Sequence, residues 1–182
     1  MSEPEFSYVI EVQTLTPSGR VYTITADADA RARVAERLGL QSLDKLAAQL
    51  EVIPHGTGAA VTGHVDADVV QRCVVTLGPV PAHIHELIET KFVAPQELKK
   101  PAVDEDEEED LLEAEEEPPE PLVDGRIDLG ELAVSQVALG LDPYPRAPGA
   151  AFDPAQWGVG AEKTRSDSPF AALAKLKRPL PK

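Results

Sequence analysis

Along the first 93 residues the apolar positions change period several times, and each change predicts an element. Tyr8, Ile10 and Val12 alternate with Val9 and Glu11, Pro17-Ser18-Gly19 supplies a turn, and Val21–Thr25 resumes with β-branched and aromatic residues. That pattern predicts a hairpin. The period then lengthens. Asp29 is placed to cap a helix over Ala30–Leu38, in which Val34 and Leu38 lie one turn apart and Gly39 is a stop. Ser42 is placed to cap a second helix, because Leu43, Leu46, Ala47 and Leu50 follow the 0, 3, 4, 7 spacing of one buried face.

Alternation returns at Glu51–Pro54, and His55-Gly56-Thr57-Gly58 reads as a turn. Ala59, Val61, Gly63, Val65 and Ala67 then occupy one face of a strand, with Thr62, His64 and Asp66 on the other. Asp66–Asp68 is expected to bend the chain into a further strand, Val69–Leu77, and a last one runs from about Ile84 to Val93 after Pro79 and Pro81. The fold class is α+β: a mainly antiparallel twisted sheet of five or six strands packed with two N-terminal helices, plus one helix further on. That later helix follows Asp128-Leu129-Gly130-Glu131, which resembles a capping box. Leu129, Leu132, Ala133 and Gln136 share a face with Val137 and Leu141 beside it, and Asp142-Pro143-Tyr144-Pro145 ends the helix. Leu129, Leu132 and Val137 are expected to be buried and Tyr144 to lie at the edge. Ser168-Pro169 opens a short basic helix, Phe170–Arg178, which needs a docking surface for Phe170, Leu173 and Leu176.

Charge divides this pattern into segments. The 182 residues carry a net charge of −15, and residues 94–123 hold 13 acids against Lys99 and Lys100. The run DEDEEEDLLEAEEE at 104–117 repels itself and has too few apolar groups to offset the entropy of ordering. The expected organisation is therefore an α+β core domain over 1–93, an acidic disordered connector over 94–123, a helical block over 124–146 docking on the core, and coil with the short basic helix over 147–182. An acidic middle with a basic tail suits an adaptor for differently charged surfaces, and also suits a charge that merely keeps a small core in solution.

Candidate chemistry is sparse. Cys73 stands alone, which excludes an intramolecular disulfide and a cysteine-based zinc cluster. Placed mid-strand beside Val74 and Val75, it reads as a small core hydrophobe. His83-x-His85 points two imidazoles the same way from a strand, and His55 and His64 are possible additions, but nothing fixes three or four of them together. Asp66 and Asp68 read as turn chemistry. No nucleophile elbow, P-loop or dinucleotide fingerprint occurs, and no cofactor is expected. The strands lack the interleaved aromatics and bases of single-strand RNA readers. MSEPEF has no apolar core for a signal peptide, and no apolar run approaches the roughly 20 residues of a membrane span. A reducing cytoplasm is the expected location.

Two blocks, read together, sharpen the expectation. Val61-Thr62-Gly63-His64-Val65-Asp66-Ala67 precedes Gln71-Arg72-Cys73-Val74-Val75-Thr76-Leu77, and Ile127-Asp128-Leu129-Gly130-Glu131-Leu132 leads to Leu141-Asp142-Pro143-Tyr144-Pro145-Arg146. Joined by an acidic connector and followed by Ser168-Pro169-Phe170, they resemble the YceD family of large ribosomal RNA subunit accumulation proteins, in its alphaproteobacterial form. Many members carry a second cysteine near this strand; here Cys73 is the only one. The resemblance implies a bacterial, non-enzymatic factor supporting synthesis, processing or accumulation of large-subunit (23S) ribosomal RNA, without catalytic or metal-binding residues to carry over. The implied partner is a basic ribosomal protein or a pre-ribosomal large subunit, met through Arg72, Asp128, Leu129, Glu131, Tyr144 and Arg146 and through Phe170, Lys175, Lys177 and Arg178 of the tail. The alternatives are a metal- or carboxylate-dependent enzyme acting on ribosomal RNA and a generic acidic chaperone-like adaptor.

Overall fold

The computed structural model describes residues 4–95, 98 and 119–151. The chain divides into a unit from Met1 to Pro148 and one from Gly149 to Lys182, and the second lies almost wholly outside the described residues. The first unit is built in the order β1 (Val9–Glu11), β2 (Arg20–Thr25), α1 (Ala28–Arg37), β3 (Ser42–His55), β4 (Gly58–Arg72), β5 (Pro79–Val93), β6 (Glu120–Pro121), β7 (Arg126–Asp128) and α2 (Leu129–Gly140). Strands β2-β3-β4-β5-β6 form one sheet in that order, and β1 pairs with β7 in a second, two-stranded one.

The α+β class holds, with three corrections to its arrangement. First, the residues expected to form a helix over 43–50 lie in β3. Val69 opposes Leu43 and Asp68 opposes Lys45, so Asp44 is an extra residue, a bulge. A bulge puts residues three apart on one face, so Leu43 and Leu46 both point inward, as they would on a helix. From Leu46 the buried positions are Leu46, Ala48, Leu50 and Val52, a strict period of two. Second, β1 does not form a hairpin with β2. It pairs with β7 instead, Ile10 opposite Ile127, and both of those side chains are buried. Third, the sheet is mixed: β5 and β6 run parallel, Phe92 against Glu120 and Val93 against Pro121. The described chain thus rejoins the sheet at Glu120, and Leu122 is buried.

The long strands explain themselves locally. In β4, Ala59, Val61, Val65, Ala67 and Val69 are buried while Thr62 is exposed and His64, Asp66 and Asp68 are half-buried, the two-faced alternation expected of an antiparallel sheet covered on one side. There is no bend at Asp66–Asp68; β4 runs on to Arg72, and residues 74–76 form a turn. Pro79 and Pro81 are accommodated inside β5 because its pairing with β6 is confined to its last two residues, which leaves the rest of that edge without a ladder to break. Helix α1 starts two residues earlier than the expected Asp29 cap: Asp27 accepts the Ala30 N–H at 2.8 Å. Val34 of α1 and Leu129, Ala133, Val134 and Val137 of α2 join Tyr22, Ile24, Leu50, Val65 and Ile88 in a single apolar cluster under the sheet. Segments before and after the connector therefore share one core.

Candidate functional site

The six expected partner-binding residues that fall among the described ones separate into two places. Asp128, Leu129 and Glu131 build the junction of β7, α2 and the N-terminal segment. Asp128 caps α2, its Oδ1 accepting the N–H groups of Gly130 at 3.0 Å and Glu131 at 3.1 Å. The same carboxylate takes the Tyr8 N–H at 2.8 Å and the Ser7 hydroxyl at 2.6 Å, so one side chain ties residues about 120 positions apart. Leu129 is fully buried and its N–H donates to the Tyr8 carbonyl at 2.9 Å. Gly130 lies so close to this segment that a Cβ would stand 2.7 Å from the Phe6 carbonyl oxygen. Glu131 does not reach back in a capping box. It receives both arms of the Arg37 guanidinium, at 2.8 and 2.7 Å, and Arg37 also reaches Glu5 at 3.0 Å. Hydrogen bonding by its own backbone, then by Arg37, holds the Glu5 carboxyl below its usual range.

Arg72, Tyr144 and Arg146 lie elsewhere, on two segments that are bonded to each other at the turn after β4. The Gln71 side chain donates to the Asp142 carbonyl at 2.8 Å, the Val74 N–H to the Pro145 carbonyl at 2.9 Å, and the Ala147 N–H to the Cys73 sulfur at 3.3 Å. Three bonds thus clamp the segment 142–147 onto the turn. Asp142 shapes that segment by accepting the Tyr144 N–H at 2.9 Å, a local turn that the Asp-Pro pair encodes. Pro145 is buried, Tyr144 is left 71% exposed, and Arg146 on the same segment and Arg72, Val74 and Leu77 on the other are exposed as well. The two clamped segments together carry two exposed guanidiniums, one exposed phenol and two exposed aliphatic side chains.

Cys73 is the base of this turn and is not mid-strand. Its sulfur also accepts the N–H groups of Val75 and Thr76, each at 3.4 Å, and Leu77 closes the turn at a φ of 61°. Bonding from Thr76, then from the Ala147 N–H, lowers the thiol to about 6. No part of Cys73 is exposed, so its sulfur is not presented to solvent.

On the uncovered face of the sheet, β4 and β5 set His83 beside Asp68 (Nδ1 to Oδ1, 2.7 Å) and His85 beside Asp66 (Nδ1 to Oδ1, 2.9 Å). His64 lies 3.6 Å from the other Asp66 oxygen. The His85 bond, opposed by burial, holds the Asp66 carboxyl below its usual range. The strand geometry brings His64, His83 and His85 together and leaves His55 at the far end of β3. Among the described residues no set of three histidine, cysteine or carboxylate groups is placed to hold a metal ion. None of the described helices is long and apolar enough to cross a membrane. Phe170, Lys175, Lys177 and Arg178 lie outside the described residues.

Sequence reasoning missed Gln71, Asp142 and Pro145, which position the surface without forming it. Gln71 carries a signal in retrospect, since it is a polar residue at an inward position of β4 and must find a partner when buried. Nothing local announces that the partner is the Asp142 carbonyl.

A family model described as large ribosomal RNA subunit accumulation protein YceD matches residues 61–177, well over half of the chain, and the chain belongs to that family. The match takes in most of β4 and all of β5, β6, β7 and α2, and with them both halves of the clamped turn. Neither the curated proteins nor the solved structures contain a match. The family's description implies a role in accumulation of the large-subunit ribosomal RNA.

Proposed function

We propose that this protein is a non-enzymatic ribosome-biogenesis factor of the cytoplasm that supports large-subunit (23S) ribosomal RNA by binding a pre-ribosomal particle or one of its basic proteins. The observation that carries this reading is the clamped turn bearing Arg72, Tyr144 and Arg146, whose two halves come from distant parts of the family match. Arginine and tyrosine are the residue types that most often dominate binding energy, and the rigid backbone beneath them lowers the entropy lost on binding. Guanidiniums also suit phosphate, so the turn fits a surface made of protein and RNA. The 13 acids of residues 94–123 supply the complementary field for a basic protein on the same particle. The tail residues Phe170, Lys175, Lys177 and Arg178 belong to the same proposed contact set.

The test is recovery of tagged protein from cells after crosslinking, with and without ribonuclease, beside the variant Arg72→Ala/Tyr144→Ala/Arg146→Ala. Large-subunit precursors or basic ribosomal proteins are expected with the wild type and depleted with the variant. Absence of ribosomal material from the wild-type sample overturns the reading.

A further inference from the structure

The two edges of the five-stranded sheet are finished differently. At one edge β5 carries Pro79 and Pro81, pairs with β6 at its end, and has its Leu87 carbonyl taken by the Gln136 side chain at 3.1 Å. Prolines and covering elements are devices that keep an edge from pairing with another chain. At the other edge β2 reads Arg-Val-Tyr-Thr-Ile-Thr, without proline, lysine or bulge, and β3 is its only strand partner. Valine, tyrosine, threonine and isoleucine all favour strands. One edge is blunted and the other is open.

The ladder fixes which groups the open edge offers. The Ala26 N–H donates to the Leu46 carbonyl at 3.0 Å, so Ala26 bonds toward β3. By the alternation of an antiparallel pair, Ile24, Tyr22 and Arg20 bond toward β3 as well. The N–H and C=O groups of Val21, Thr23 and Thr25 therefore point away from the sheet, and no described residue bonds to them. All three residues are exposed.

Those groups complement themselves. A second β2, laid antiparallel about a two-fold axis at Thr23, sets Val21 opposite Thr25 and Thr23 opposite Thr23. Every free donor then meets a free acceptor. The side chains agree with this register. Threonine meets threonine on the open face, and buried Tyr22 stands opposite buried Ile24, an aromatic beside a β-branched residue. Arg20 lies 5.2 Å over the Tyr22 ring and has no ion-pair partner among the described residues. The register brings it opposite Ala26 and next to Asp27 of the second copy. Asp27 caps α1 through the Ala30 N–H and also has no ion-pair partner among the described residues. No two like charges face each other along the paired strands.

We propose that the β2 edge is an interaction surface for a second copy of this chain, joining two five-stranded sheets into one by antiparallel β2–β2 pairing centred on Thr23. The proposal does not rest on the ribosome-biogenesis reading. It adds that each binding surface is presented twice, which multiplies contacts that are weak singly. A six-residue pairing is smaller than a standard stable interface, so the dimer is expected to dissociate in the micromolar range. It is best observed at physiological salt, where the net charge of −15 is screened.

The test is sedimentation velocity of the full chain from low micromolar to several hundred micromolar, with native mass spectrometry beside it. The wild type should show a monomer–dimer equilibrium, and the amides of Val21, Thr23 and Thr25 should gain exchange protection only at the higher concentrations. Because Thr23 lies on the axis, a charge placed there meets itself. Thr23→Lys and Thr23→Glu should each weaken association at least about tenfold, while an equal mixture of the two should restore it as a heterodimer. Arg20→Ala should weaken it about threefold. Thr23 is exposed, and melting temperatures matching the wild type check that both variants fold.

A wild type that stays monomeric at the highest concentration overturns the proposal. So does a dimer that persists in both single variants, because another surface then forms it. A mixture that associates no better than either variant alone overturns the placing of the axis at Thr23, and with it the proposal.

Discussion

Residues 126–131 and 142–147 belong to the same block after the acidic connector, and both carry the motifs that make the chain look like its family. Their side chains are used in opposite ways. In the first stretch Ile127 and Leu129 are buried, Asp128 gives its oxygens to four donors, and Glu131 is held by Arg37. In the second stretch the backbone does the bonding, through the carbonyls of Asp142 and Pro145 and the N–H of Ala147, and the side chains of Tyr144 and Arg146 are left facing water. A motif can therefore mark the seam that completes a fold or the surface the fold presents, and hydrogen-bond accounting tells the two apart.

The sharpest way to break this comparison is truncation on each side. Leu129→Ala should cost about 3 kcal/mol, because the side chain is fully buried and a cavity remains. Tyr144→Ala should change stability by less than about 0.5 kcal/mol, since that residue is mostly exposed. Thermal and urea unfolding of the two variants measure the contrast, and equal losses would erase it. Next in size are the close contacts at the start of α2. Gly130→Ala should cost about 1–3 kcal/mol through overpacking against Phe6 and Ser7, and Asp128→Ala about 1–2 kcal/mol through loss of the cap. Amide exchange should show Tyr8 losing protection in the second variant, because its N–H partner is gone.

These long-range ties explain what could be read from the sequence and what could not. The alternation of β4 was legible from Ala59 to Ala67, and Asp128 was legible as a cap, because both depend on neighbours in the chain. The pairing of β1 with β7 was not, since it joins Ile10 to Ile127 across more than a hundred residues and β1 offers only three positions of pattern. Leu43–Leu50 misled for a different reason: the bulge at Asp44 inserts one residue into a period of two and imitates helical spacing. At the site, the types and positions of Arg72, Tyr144 and Arg146 were visible, but the joining of the segments that carry them depends on Gln71 and Cys73 bonding to a stretch about 70 residues away.

Smaller effects sharpen the comparison further. Glu131→Gln should destabilise by no more than about 1 kcal/mol, because the Arg37 pair is more than a third exposed, and the difference should shrink as salt is raised. If the loss is larger and salt-independent, Glu131 has a role in the seam beyond the ion pair. The least effect is expected from the His–Asp ladder. The folded Asp66 carboxyl titrates below its unfolded value, so its contribution is present above the ordinary carboxylate range and fades as pH falls through the folded value. Carboxyl NMR titration should find Asp66 shifted upward in His85→Ala, since the first cause of its lowering is the His85 bond.

The most direct test of the central claim is the amount of large-subunit ribosomal RNA in cells whose only copy of this protein is Arg72→Ala/Tyr144→Ala/Arg146→Ala, with the melting temperature of the purified variant measured beside it. A variant that melts like the wild type while large-subunit RNA falls is the result this account predicts. Normal large-subunit RNA with that variant would contradict it and move the function away from the clamped turn.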